Sequence, residues 1–156
     1  MTCVITGHRP KGFPFDRNDE NSDFYQYKKR LREEIRQLIN QGYDHFISGM
    51  ADGADIDFLE IVLDEKRDKS IFIEAALPCP YSSKTENKKT QILRLCDNVK
   101  VISDHYFSGC MQKRNRYLVD NCDVLIAVWN GEEIGGTWNT IEYAKRKGKR
   151  IRFILL

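Results

Sequence analysis

The chain lacks the cysteine spacing of a metal knuckle. Its five cysteines stand at positions 3, 79, 96, 110 and 122, and no two form a CxxC pair, so no metal site is expected. An odd count in a core-forming chain reads as reduced thiols in a cytoplasmic protein. Charge of one sign is also missing: 25 Lys and Arg face 23 Asp and Glu, for a net charge of +2. That balance argues against a mainly electrostatic nucleic-acid binder and leaves room only for a local basic patch. No apolar run approaches the roughly 20 residues of a membrane span, so no membrane partner is expected. The opening residues, MTCVITGHRP, lack the charged head and long apolar stretch of a signal peptide. There is no repeat, no linker and no low-complexity tract. No GxGxxG and no GK[ST] of a Walker A loop occurs, and no cofactor is expected.

What is present fits one domain spanning all 156 residues, with 41% hydrophobic residues to build a core. Short apolar runs alternate with amphipathic stretches. CVIT (3–6), HFIS (45–48), SIFIEAAL (70–77), VKVIS (99–103), DVLIAVW (123–129) and RIRFILL (150–156) read as strands. Phe24, Tyr27, Leu31, Ile35 and Leu38 recur at helical spacing, with Gly42 as the stop. ADIDFLEIVLDEKRD places Phe58, Ile61, Val62 and Glu65 on one stripe. Further helices are expected over 82–98, over 110–122 with Met111, Leu118, Val119 and Cys122 inward, and over 136–148 with Trp138, Ile141 and Ala144 on one side. The apolar positions around Trp138 are either core or the contact of a homo-oligomer. The alternation predicts βα units in a Rossmann-like, three-layer α/β fold with a mostly parallel sheet of five or six strands. Nearly continuous apolar strands agree, because parallel strands are buried on both faces.

In such sheets ligands bind beyond the carboxyl ends of the strands. The segments there are TGHRP (6–10), SGMADGAD (48–55), PCPY (78–81), SDHYFSGCMQKRNR (103–116) and NGEEIGGTWNTIE (130–142). Glycine lets backbone turn tightly and approach a ligand, and a helix start then points free N–H groups at an anion. Gly7, Gly49 with Gly53, and Gly135 with Gly136 all occupy such junctions. Each alone reads as a turn; together they suggest a shared phosphate site. The expected pocket comprises Thr6, Gly7, His8, Arg9 and Pro10; Ser48, Gly49, Met50, Ala51, Asp52, Gly53 and Asp55; Arg114; and Asn130, Gly131, Gly135, Gly136 and Thr137.

Arg9 can clamp a phosphate or be an exposed loop charge. His8 can act as an acid–base group, bond a ribose, or fix its turn. Asp55, near a helix start, is better placed to hold the glycine turn rigid than to bind a hydroxyl, while Asp52 is free for a ribose or for water. Arg114 can neutralise phosphate or sit on the solvated face of KRNR. The segment from Lys11 to Asp23 is long for a βα connection. Its Phe13 and Phe15 either stack on a base as a lid or anchor the loop to the body.

VITGHRP, followed by ISGMADGAD and then by Arg114, Asp123 and Gly135-Gly136-Thr137, resembles the YpsA-like proteins of the SLOG superfamily. That superfamily also holds the Lonely Guy phosphoribohydrolases and DNA-processing protein A. The resemblance spans nearly the whole chain. It implies a Rossmann-like sheet that binds or senses a nucleotide or nucleotide-derived, ADP-ribose-like small molecule. Similarity to the Lonely Guy enzymes implies an alternative, hydrolysis of the N-glycosidic bond of a nucleoside monophosphate. Arg114, in MQKR with Asp123 nine residues on, matches their arginine. Glu142 is the nearby downstream carboxylate and would activate water. It stands five residues after Thr137, a longer interval than theirs, and no proline precedes the glycines. A bound ligand could bring Mg²⁺ with it. The SGMADGAD turn is also similar to that of DNA-processing protein A, a third and weaker, DNA-related alternative.

Overall fold

The computed structural model describes all 156 residues. Six strands form one parallel sheet: β1 (Thr2–Gly7), β2 (His45–Ser48), β3 (Phe72–Leu77), β4 (Asn98–Val101), β5 (Val124–Trp129) and β6 (Arg150–Leu155). Five helices connect them: α1 (Ser22–Asn40), α2 (Ala54–Lys66), α3 (Lys88–Leu95), α4 (Cys110–Asp120) and α5 (Gly136–Arg146). The strand order is β4-β3-β2-β1-β5-β6, and every neighbouring pair is parallel. The chain winds outward from β1 to β4, then returns to place β5 on the other side of β1. Right-handed crossovers therefore put α1–α3 on one face and α4–α5 on the other. This is the expected Rossmann-like three-layer arrangement. No helix is long and apolar enough to cross a membrane.

Two apolar cores follow from the pleat. Cys3, Ile5, Phe46, Ile73 and Ile126 face α1–α3, while their neighbours Val4, Ile47 and Leu125 face α4–α5. The five periodic positions of α1 are all buried. Asn21 starts that helix by accepting from the N–H groups of Asp23 and Phe24 at 2.9 and 3.1 Å. Gly42, at φ +94°, ends it, with the Tyr43 N–H donating to the Leu38 carbonyl at 3.0 Å. α2 is buried well beyond the expected stripe, because it lies centrally in its layer and packs on both α1 and α3. The Glu65 carboxylate on that stripe pairs with Arg32 and Arg36 from α1.

Three expectations need correction. The helix expected over 82–98 covers only Lys88–Leu95. The Asn87 side chain accepts from the Thr90 N–H at 2.9 Å while Thr90 Oγ1 accepts from the Asn87 N–H at 3.0 Å, and this reciprocal cap starts the helix late. β4 is not buried: it is a sheet edge, with Val99 and Val101 at 40% and 43% exposure. Met111 does not turn inward but stands exposed on the first turn of α4. Trp138 is half-buried and stacks on Trp129, with ring centroids 5.2 Å apart.

The long loop after β1 is anchored. Phe13 is buried and meets Tyr27 edge-on at 5.1 Å, and Phe15 packs beside it. Arg17 lies over Phe13 at 4.5 Å and donates to both oxygens of buried Asp57 at 2.8 and 2.9 Å. The Tyr27 hydroxyl donates to the same carboxylate at 2.8 Å. The two phenylalanine rings are thus spent on the body of the protein.

Candidate functional site

Because β1 sits between β2 and β5, the connections leaving β1 and β5 diverge and open a crevice at their carboxyl ends. A cleft of about 350 Å³ occupies that place. Ten of the expected residues line it: Thr6, Gly7, His8, Arg9, Ala51, Asp55, Arg114, Gly135, Gly136 and Thr137. The N-terminal turns of α4 and α5 face it through Met111, Gln112, Arg114 and Asn115, and through Gly136 and Thr137. Neither helix has an acidic residue in its first turn or a capping side chain, so their free N–H groups and positive dipole ends remain available to an anion. α2 is different, since Asp55 and Asp57 stand in its first turn.

The glycines bring the walls together. A Cβ on Gly7 would stand 2.4 Å from that of Ala54, so strand β1 and the start of α2 could not meet as they do. A Cβ on Gly49 would stand 2.6 Å from the Arg114 guanidinium carbon. That absence of a side chain is what lets Arg114 lie under the glycine turn and donate from Nη1 to the Gly49 carbonyl. Its Nε donates to Asn115 Oδ1 at 2.8 Å, and Nη2 makes no hydrogen bond within the protein. Arg114 is only 5% exposed, and no carboxylate lies in ion-pair contact with it. Burial pulls its pKa down, partly offset by the nearby Asp55 charge.

Asp55 holds the glycine turn: Oδ2 accepts from the Ala51 N–H at 3.1 Å. Ser48 Oγ supports the same turn, donating to the Asp55 carbonyl at 2.9 Å and accepting from the Met50 N–H at 3.1 Å. Buried Met50 adopts φ +60°, a left-handed conformation unusual for a non-glycine residue, and the SGMADGAD stretch gave no sign of it. Burial pushes the Asp55 carboxyl up to about 6, against the opposing charge of Arg114 and the Ala51 hydrogen bond. The folded chain then holds this proton to about pH 6, whereas an unfolded aspartate releases it near 3.8. Between those values the folded state binds more protons, so Asp55 makes stability fall as pH rises through that window. The shift corresponds to a penalty of about 3 kcal/mol, fully present above pH 6. Asp55→Asn keeps an oxygen for Ala51 and removes the charge. Its expected signature in urea denaturation is a stability gain at pH 7.5 that disappears at pH 4; a gain of equal size at both would refute this assignment.

His8 belongs to the turn. Its Nε2 accepts from the Asn130 N–H at 3.1 Å, which places the neutral ring's proton on Nδ1. Burial lowers its pKa, opposed by the Glu132 charge. Asn130 also donates to the Gly12 carbonyl at 3.1 Å, tying the β5 loop to the β1 loop behind the cleft. Arg9 is exposed at the rim, with Nη2 3.5 Å from Met111 Sδ.

The remaining expected residues lie elsewhere. Pro10 opens a short 3-10 turn and is exposed. Gly49, Met50 and Ser48 are buried behind the cleft. Asp52 and Gly53 line a second cavity, of about 440 Å³, on the far side of the glycine turn. Gly131 is an exposed turn residue at φ +89°. Glu142 does not line the cleft with Arg114. It lines an adjoining cavity of about 210 Å³ between α4 and α5, which shares Gln112, Asn115 and Gly136 with the cleft, and it pairs with Lys145 at 3.3 Å. Conversely, Ile5, Gly12, Met111, Gln112, Asn115 and Ile134 line the cleft without having been expected there. Gln112 and Asn115 flank Arg114 in MQKRNR, so the helix start that contains the arginine was the available signal. Ile134 is 73% exposed, and its position in an irregular loop offered none.

Comparison with known proteins agrees with this architecture. The chain is 24% identical over 155 residues to a UPF0398 protein of Bacillus cereus strain B4264, a match covering 94% of this chain and 83% of the relative. A UPF0398 protein of Bacillus thuringiensis strain Al Hakam is similar to the same extent, at 24% identity with 94% and 83% coverage. The family model described as the YspA SLOG family matches residues 3–155, from β1 to the end of β6. With a match of that span, the chain belongs to the YspA SLOG family.

Proposed function

We propose that this protein binds or senses a nucleotide or nucleotide-derived anion in the cleft at the carboxyl ends of β1 and β5. One observation carries the reading. Arg114 is a buried guanidinium at the cleft, without a carboxylate in contact and with one terminal nitrogen unused. Burying an unpaired charge costs several kcal/mol, so a site that keeps one is arranged for a partner from outside. Two acid-free helix N-termini and Arg9 converge on the same space, so the partner is an anion. Met111 and Ile134 add apolar walls of the kind a base or ribose covers. Family membership fits a nucleotide-related role.

The hydrolytic alternative needs a carboxylate beside the scissile bond. Glu142, its candidate, lines the adjoining cavity, which shares Gln112, Asn115 and Gly136 with the cleft, rather than the cleft itself, and forms a surface pair with Lys145, so binding without turnover is the reading favoured here. A melting-temperature screen with AMP, ADP and ADP-ribose, paired with chromatography for released base, tests both. A ligand at 100 times its Kd is expected to add about 2.7 kcal/mol. For a chain of this size that is a rise of about 5–10 °C. No rise with any of the three, or release of free base in step with turnover, would overturn the binding reading.

A further inference from the structure

The second cavity, across the glycine turn, contains a cation that the cleft does not account for. Lys89, on the first turn of α3, lines it together with Asp52, Gly53 and Tyr81, and with Lys88, Arg17 and Asp57, of which Arg17 and Asp57 pair with each other. Its ammonium lies 4.2 Å from the centre of the Tyr81 ring. The next-door Lys88 pairs with Glu60 at 3.2 Å, but Lys89 enters no ion pair and no hydrogen bond. The side chain is half-buried. Its position is held rather than incidental. Asn87 caps α3 with its oxygen and donates from Nδ2 to the Tyr81 hydroxyl at 3.1 Å, so ring and helix start are one assembly.

The two cavities adjoin. Only the turn separates them: Ala51 and Asp55 line one side, Asp52 and Gly53 the other. Arg9 sits on that divide, because its Cα would stand 3.0 Å from a Cβ on Gly53. Burial draws the Lys89 pKa down, opposed by Tyr81 and Asp52, and the charges of Arg114 and Arg9 add to the lowering. Three cations thus surround one short turn. Asp55 lies buried beside Arg114 and Asp52 faces Lys89, but neither carboxylate is within ion-pair contact of any of the three.

We propose that Lys89 with Tyr81 forms a second anion subsite, so that the ligand carries two linked phosphate groups, one in the cleft at Arg114 and one reaching past Arg9 over the Asp52–Gly53 turn to Lys89. The ligand class is therefore a nucleoside diphosphate or a pyrophosphate-linked nucleotide, rather than a nucleoside monophosphate. This rests on the reading of the cleft given above. A half-buried ammonium on an aromatic face is partly desolvated already, which strengthens its contact with an anion.

Titration calorimetry with inorganic phosphate and inorganic pyrophosphate, in buffer free of divalent metal, tests it without knowledge of the base. The expected result is that Lys89→Met and Lys89→Gln each weaken pyrophosphate by about ten-fold and phosphate by less than about two-fold. In the unaltered protein, pyrophosphate is expected to shield Lys89, but not exposed Lys29 on α1, from reductive methylation read by mass spectrometry. That measurement needs no variant to fold. If pyrophosphate binds but both variants retain it within about two-fold, or Lys89 is not shielded, the second subsite is wrong and the cleft stands. If neither anion binds the unaltered protein, the cleft reading falls and the subsite with it.

Discussion

Gly53→Ala is expected to lower the melting temperature by about 4–12 °C, at 2–4 °C for each kcal/mol in a chain of this size. Gly53 adopts φ +97°, where a residue with a side chain is strained by about 1–2 kcal/mol. A methyl group there would also stand 2.4 Å from the His8 carbonyl oxygen and 3.0 Å from Arg9 Cα. Both are backbone atoms of the β1 loop, so neither can rotate away. Relieving the clash means parting that loop from α2 and losing the hydrogen bond from the Ala54 N–H to His8 O at 3.2 Å, worth about 1 kcal/mol. The sum is about 2–3 kcal/mol. Gly136→Ala is the matched control, since nothing lies within 4 Å of its Cβ and its φ is not positive. It should melt at or above the unaltered protein. Calorimetric scans of the two variants decide the point; a fall of under about 2 °C for Gly53→Ala would mean the loop yields freely, contrary to the packing described.

Arg114→Met is expected to separate binding from folding. Removing the buried guanidinium costs the ligand its central charged partner, about 2–5 kcal/mol, so affinity for ADP-ribose or pyrophosphate should drop by about 30-fold or more. Stability should change little, within about 1 kcal/mol, because the lost bond to the Gly49 carbonyl is offset by release from burying an unpaired charge. Titration calorimetry and urea denaturation on the same samples report the two quantities. Unchanged affinity would remove Arg114 from the site. A large loss of stability with proportionate loss of affinity would make it a structural residue only.

The fold was legible where the local pattern and the final environment agree. The spacing of Phe24, Tyr27, Leu31, Ile35 and Leu38 names the buried face of α1 because one helical stripe meets one sheet face. HFIS and the run 124–129 are strands buried on both sides, and a short apolar run is the only sequence that suits such a place. Where caps or edges intervene, the pattern misleads. The start of α3 is decided by the Asn87–Thr90 exchange of hydrogen bonds, within a stretch whose composition is uniformly polar. VKVIS looks like a core strand and lies at an edge, since nothing in its five residues records how many neighbours it will have.

For the site, the sequence by itself determined which segments stand at strand ends and which glycines, arginines and aspartates they carry, because those follow from local turns and from alternation of strand with helix. It also led to the SLOG family, with which the match over residues 3–155 agrees. Only the tertiary structure decided which of those segments share a space. The return of the chain from β4 to β5 puts Arg114 under Gly49, sixty-five positions away, and leaves Glu142 lining the adjoining cavity instead of the cleft. The same return leaves α4 and α5 with open N-termini over the cleft, while α2 brings its own aspartates. Lys89, one of two adjacent lysines in a polar run, could not be told from Lys88 by any local rule. One finds Glu60 and the other finds Tyr81, and that difference is set by the packing of α3 against α2. Strand and helix are local consequences of side-chain period; a charged site depends on which distant charges are brought together and which are left without a partner.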